Sequence, residues 1–220
     1  MLFPAPDRLN VKICGITRAD QAAAIIELGA DALGLNFWDK SKRYIAPAAA
    51  AKWAPALRSR TTLVAVLVNP SPALLAEVIE LGVVDVLQLH GDETPEDVAR
   101  VQALGLPVIK ALQVRDHDSL ATIGDYPCET MLLDAYNPGL YGGEGKAFPW
   151  ELATEAQRRF PKKHFILAGG LTPENVGTAV SQVRPAGVDV ASGVESSPGI
   201  KDLDMVRRFI DGAKRGDAGR

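Results

Sequence analysis

Cysteine and histidine are scarce in this chain, with two of the former and three of the latter in 220 residues. Two cysteines cannot form a disulfide framework, and three histidines give no plausible metal cluster. The expected setting is therefore reducing, with no metal. Charge of one sign is missing as well: 24 Lys and Arg face 27 Asp and Glu, for a formal net charge of −3 and a pI of about 5.7. That balance offers no basic footprint for nucleic acid. The cluster "AKRGDAGR" at 213–220 reads as a solvated end. The first ten residues lack the basic-then-apolar order of a signal peptide. The apolar run "LVAVLV" at 63–68 falls far short of the roughly 18 residues that cross a bilayer. These absences predict a cytoplasmic protein with neither nucleic acid nor membrane as a partner.

What is present is a repeated pattern. Hydrophobic residues make up 47% of the chain, enough for a large core. The length suits one domain, since α/β barrels commonly run to about 200–250 residues. Eight β-branched runs recur: 10–14, 32–37, 62–68, 86–90, 108–114, 130–135, 164–169 and 187–192. They are mostly apolar rather than alternating, as in strands covered on both faces. Helical stretches lie between several of them. Thr17, Ser71, Thr94 and Thr172 are placed as caps, with Gly29, Gly82 and Gly105 closing the first three helices. Strand–helix units of this length need crossovers and hence a parallel sheet. Eight of them predict an α/β fold, a single (β/α)8 TIM barrel over 1–220 with short flexible ends near 1–8 and 213–220. An open doubly wound sheet is the alternative, because a strand count does not demonstrate closure.

Chemistry in such barrels gathers where strands run into the following helices. That rim carries Cys14, Asn36, Asn69, His90, Gln113, Asp134, Gly169-Gly170 and Ser192-Gly193. The residues before each break are apolar, so polar groups are expected at this rim. "LAGGLTPENV" and "VDVASGVESSPGIKD" each end a strand on glycine, which lets backbone N–H groups approach an anion. Paired after strands seven and eight, they predict a phosphate cradle; singly, each would be a tight turn. Cys14 is either a small hydrophobe or, with Asp134 across the mouth, half of a base–acid pair suited to moving protons on a sugar phosphate. An accessible Cys14 near Lys12 would have its thiolate favoured. Cys128 fits the space-filling reading. His90 is either a titrating group or a backbone-bonded one. Arg43, in "SKRYIAP", is either a surface ion-pair residue or a clamp on a substrate carboxylate.

Several ordered motifs then carry a resemblance: "VKICGIT", "GADALGLNF…SKRYI", "LVAVLVN", "LQLHGDE", "LLDA…GGEGKAF", "FILAGGLTPENV" and "GVDVASGVESSPGIKD". Almost end to end, the chain resembles the phosphoribosylanthranilate isomerase family of tryptophan biosynthesis. The resemblance implies Cys14 as general base and Asp134 as general acid of an Amadori rearrangement, with no cofactor. It implies that Arg43 meets the anthranilate carboxylate and that Gly170, Ser192 and Gly193 hold the phosphate, with Gly169 and His90 among the substrate-binding residues. The partner is a small sugar phosphate, and the chain a monomer or homodimer. One stretch departs from the family pattern GGTGxxFDW: "GGEGKAFPW" places Glu144 and Pro149 where Thr and Asp are usual. A carboxylate there would repel phosphate unless Glu144 points outward or pairs with Lys146.

Three rivals remain at this point. A sister isomerase acting on the histidine-pathway aminoimidazole ribotide would be expected to carry aspartate in place of Cys14, though dual specificity stays open. An indole-forming barrel synthase would need a lysine acid where strands one and three end in Cys14 and Asn69. A catalytically silent sugar-phosphate binder would need neither Cys14 nor Asp134.

Overall fold

The structure, a computed structural model, describes residues 8–135 and 150–218. Eight parallel strands close into a barrel in chain order: β1 (Asn10–Cys14), β2 (Ala32–Asn36), β3 (Thr62–Leu67), β4 (Val86–Leu89), β5 (Val108–Val114), β6 (Thr130–Ala135), β7 (His164–Leu167) and β8 (Gly187–Val190). Closure is made by β1 pairing with both β2 and β8, Lys12 lying opposite Ala32 on one side and Asp189 on the other. The open-sheet alternative is thereby excluded. Side chains on a strand point alternately to its two faces. Ala32, Val64, Val86, Ile109, Ala111, Leu132, Ile166 and Ala168 pack together as one apolar cluster. Their neighbours, among them Val11, Ile13, Leu33, Leu63, Leu87 and Leu133, join the larger cluster shared with the helices.

The helices are α1 (Ala19–Glu27), α2 (Pro47–Ala50), α3 (Pro72–Glu80), α4 (Pro95–Gln102), α5 (Trp150–Arg159), α6 (Val176–Val183) and α7 (Leu203–Asp217). The link from β5 to β6 instead carries a 3-10 stretch, Asp118–Asp125. Two caps are as the sequence predicts. Ser71 accepts from the Leu74 amide, and Thr94 with Asp97 forms a reciprocal capping box. Two differ. The Thr17 hydroxyl donates to the Gly199 carbonyl, and the α1 cap position falls to Arg18, whose side chain makes no capping bond. The helix after Thr172 begins later, at Val176, because Asn175 Oδ1 takes the Thr172 amide and folds 172–175 into a turn first.

The loose end expected from 213 is also corrected. Helix α7 continues to Asp217, Ala213 is fully buried, and Asp217 accepts the Leu9 amide at 3.1 Å. That bond ties the last helix to the start of β1. Of the segment near 1–8, only Arg8 lies within the described residues. Among those residues no helix is long and apolar enough to cross a membrane.

Candidate active site at the barrel mouth

A cavity of about 460 Å³ opens at the C-terminal ends of the strands. All eight site residues expected from the sequence line it: Cys14, Arg43, His90, Asp134, Gly169, Gly170, Ser192 and Gly193. Period-2 alternation explains why. Lys12 and Cys14 share the inner face of β1, Leu132 and Asp134 that of β6, and Gln88 and His90 that of β4 and the residue after it.

Polar groups are not confined to the rim, as the sequence reading expected. One step deeper, Lys12 is fully buried and its Nζ lies 2.8 Å from Asp189 Oδ1. Lys110 is also buried, bound to the Gly91 carbonyl at 2.7 Å and to Glu93 at 2.8 Å. Glu93 in turn accepts the Asn69 and Gly91 amides, which fixes the turns after β3 and β4. Asn69 thus serves the loop framework. The signal for these residues was available in the spacing: Lys12 stands two before Cys14, and Gln88 two before His90.

Cys14 is 8% exposed, less accessible than expected. Burial pushes it up from the ordinary thiol value, while Lys12 and Lys201 pull toward the thiolate and Asp189 opposes them. The net direction is upward, so the expectation of a favoured thiolate is corrected: desolvation outweighs the two lysines. Burial alone would push the Lys12 ammonium down, but Asp189 and Cys14 beside it hold it above its ordinary value. Cys128 is fully buried and bonded to Met131 sulfur, in keeping with the space-filling reading.

Arg43 is not a surface residue. Its Nε and Nη2 donate to the two carboxylate oxygens of Glu195 at 2.8 and 2.7 Å. Lys201 Nζ reaches the same carboxylate at 2.8 Å. Burial works against the Glu195 charge, yet Arg43 and Lys201 hold the carboxyl below its usual range. The pair joins the loop after β2 to the hairpin β9 (Glu195–Ser197) and β10 (Ile200–Lys201). Gly15 makes room for it: with φ +78°, a Cβ there would stand 2.5 Å from Arg43 Cδ. Sequence reasoning missed Glu195, whose role depends on a contact 152 residues away.

At the other wall, His90 Nε2 lies 3.2 Å from Asp134 Oδ2, and its Nδ1 lies 3.0 Å from the Gln88 amide nitrogen. His90 is therefore bonded to side chains, not to a backbone group. The glycine turns complete the rim. A Cβ on Gly193 would fall 2.0 Å from the Leu171 carbonyl, so the turns after β7 and β8 touch only because this position is glycine. The amides of Gly170 and Gly193 donate to no acceptor among the described residues. Two such N–H groups at adjacent turns are suited to an anion. Glu144, Lys146 and Pro149 lie outside the described residues. Among the described residues no group of three His, Cys, Asp or Glu side chains is placed to hold a metal ion.

A thiol, a carboxyl and two adjacent glycine turns thus stand around one mouth of a closed (β/α)8 barrel, the end at which barrels of this class place their active sites. Residues 11–212 match the family model described as N-(5'phosphoribosyl)anthranilate (PRA) isomerase. An N-(5'-phosphoribosyl)anthranilate isomerase from Trichlorobacter lovleyi is 47% identical over 206 residues, 94% of this chain and 98% of that protein. The crystal structure of phosphoribosyl anthranilate isomerase from Thermotoga maritima superposes with a TM-score of 0.85 at 40% identity, covering 94% of this chain and 98% of that one. A phosphoribosyl anthranilate isomerase in complex with reduced 1-(o-carboxyphenylamino)-1-deoxyribulose 5-phosphate has a TM-score of 0.82 at 37% identity, over 94% and 98% of the two chains. The chain belongs to the N-(5'-phosphoribosyl)anthranilate isomerase family.

Proposed function

We propose that this chain catalyses the Amadori rearrangement of N-(5'-phosphoribosyl)anthranilate to 1-(2-carboxyphenylamino)-1-deoxyribulose 5-phosphate, an isomerisation in tryptophan biosynthesis. The observation that carries the reading is the placement of Cys14 and Asp134 in the same cavity, on strands from different sides of the barrel. The Asp134 carboxyl gives its proton to the ribose ring oxygen. The C1′–O bond opens as the amine nitrogen lone pair forms a C=N bond. The Cys14 thiolate then removes the C2′ proton, and the electron pair neutralises the iminium to give an enolamine that tautomerises to the ketose. Lys12 and Lys201 supply a positive field that favours the thiolate and counters part of the upward push of burial. Both steps are proton transfers, which balance without a redox partner.

Gly169, Gly170, Ser192 and Gly193 hold the phosphate in this reading, through backbone amides at the turns after β7 and β8. Arg43 receives the anthranilate carboxylate. Its Nε–Nη2 edge is taken by Glu195, which fixes the plane of the guanidinium and turns the Nη1 edge to the ligand.

The test follows the loss of phosphoribosylanthranilate fluorescence with purified protein. Turnover is expected for the wild type, and Cys14→Ser and Asp134→Asn each lower kcat by at least about 10²-fold, a typical scale for acid–base catalysis. A tightly bound but unconverted substrate would instead identify a sugar-phosphate binder. Near-full kcat in Cys14→Ser would overturn the base assignment.

A further inference from the structure

Gln88 takes no part in the steps above, yet it is fully buried beneath the cavity and aimed at a residue that touches the acid. Its amide nitrogen lies 3.0 Å from His90 Nδ1. An amide nitrogen only donates, so Nδ1 is the acceptor and the proton of the neutral ring stands on Nε2. That Nε2 lies 3.2 Å from Asp134 Oδ2. The three side chains form one line from the barrel interior to the mouth, with donors all pointing toward the carboxyl.

The line has a built-in cost. Gln88 Oε1 is buried without a hydrogen-bond partner among the described residues. A buried unsatisfied polar atom calls for an explanation, and a hydrocarbon of similar shape would avoid it. Turning the amide over would not relieve the cost. It would strand N–H donors instead, a rarer fault in folded proteins, and would reverse the tautomer of His90.

We infer that Gln88 and His90 are positioning residues that decide which oxygen of Asp134 delivers the proton. This rests on Asp134 as the general acid of the proposed reaction. His90 Nε2–H occupies Oδ2, so the transferable proton stands on Oδ1. The Oδ1–H bond breaks as the ring oxygen takes the proton, and the negative charge left on the carboxylate meets a donor already in place. His90 keeps its own proton throughout. Gln88 acts one step further back: its N–H facing Nδ1 keeps the ring from turning its lone pair toward Asp134.

The resting tautomer can be read without any turnover. In protein labelled with 15N-histidine, long-range 1H–15N spectra distinguish Nε2–H from Nδ1–H rings, and loss of one signal set in His90→Gln assigns His90 among the three histidines. The expected result is the Nε2–H form in the wild type and a mixture in Gln88→Met. An Nδ1–H ring in the wild type would overturn the inference. The kinetic arm compares two replacements of the ring. His90→Leu is expected to lower kcat about tenfold or more with little change in KM, less than the roughly 10²–10⁴-fold typical of losing an acid or base itself. His90→Gln, whose amide nitrogen can reach about where Nε2 stands, should recover most of it. Equal losses in the two variants would reject positioning in favour of simple packing. Full activity in Asp134→Asn would remove the acid assignment itself, an outcome separate from either the tautomer or the His90 comparison.

Discussion

On the β1–β8 side of the cavity, Cys14 stands among full charges: Lys12 with Asp189 below it, and Lys201 with Glu195 and Arg43 beside it. On the β4–β6 side, Asp134 meets the imidazole of His90, which an uncharged amide holds from behind. The contrast matches the roles proposed for the two groups. A thiol works as a base only after losing its proton, and a nearby ammonium stabilises the anion. A carboxyl that serves as an acid must arrive protonated, and a lysine at its side would hold it ionised. One cavity can therefore contain both functions if the cations are kept to one wall.

The ionic wall can be broken at its base. Lys12→Met leaves Asp189 buried without its partner, and removing one member of a buried pair costs about 3–5 kcal/mol. Chemical denaturation should show this loss, and a Lys12→Met/Asp189→Leu double variant should regain much of it. A near-unchanged unfolding midpoint in Lys12→Met would mean that the pair is not the buried charge couple described. Neither variant should restore activity, since the cation nearest the thiol is gone in both.

Arg43→Ala probes the outer part of the same wall, with a smaller expected effect. KM should rise roughly tenfold, about 1.4 kcal/mol of substrate binding. The melting temperature should change little, because Lys201 still meets Glu195. Arg43→Lys should recover only part of the loss, as lysine keeps the charge but not the planar fork. A substrate analogue lacking the carboxylate is the control: a tenfold difference persisting with it would place the action of Arg43 elsewhere.

The mildest probe distinguishes the two cysteines. Iodoacetamide should label Cys14, which lines the cavity, and leave the fully buried Cys128 untouched in the native protein. Because burial raises the Cys14 thiol, labelling should be slow at neutral pH. Below the thiol's own value the rate should climb about tenfold per pH unit, as the thiolate fraction does. It should still be rising at the ordinary thiol value of 9.0. A plateau already reached below that value would show that the lysines win over desolvation.

Much of this was legible in the sequence. The eight strands, their order and the Ser71 and Thr94 caps follow from local patterns, which depend on residues a few positions apart. Seven of the eight residues that line the cavity were placed at the rim the same way, because a strand end is a local event, while Arg43 came from the loop after β2. Thr17 shows where that method fails: a good capping residue gave its hydroxyl to Gly199 because the fold brought the hairpin after β8 within 2.8 Å.

The chain's own letters thus determined the repeating strand–helix units, their parallel arrangement and the presence of a thiol and a carboxyl at one rim. Tertiary structure alone decided how those groups are tuned. Closing the barrel sets Lys12 of β1 against Asp189 of β8, and Arg43 against Glu195, pairs separated by 177 and 152 residues. It also buries most of Cys14, which works against the expected thiolate. Periodicity assigns each residue a face, but the charge state of a buried group depends on which distant residues share its cavity, and that is fixed only when β8 meets β1.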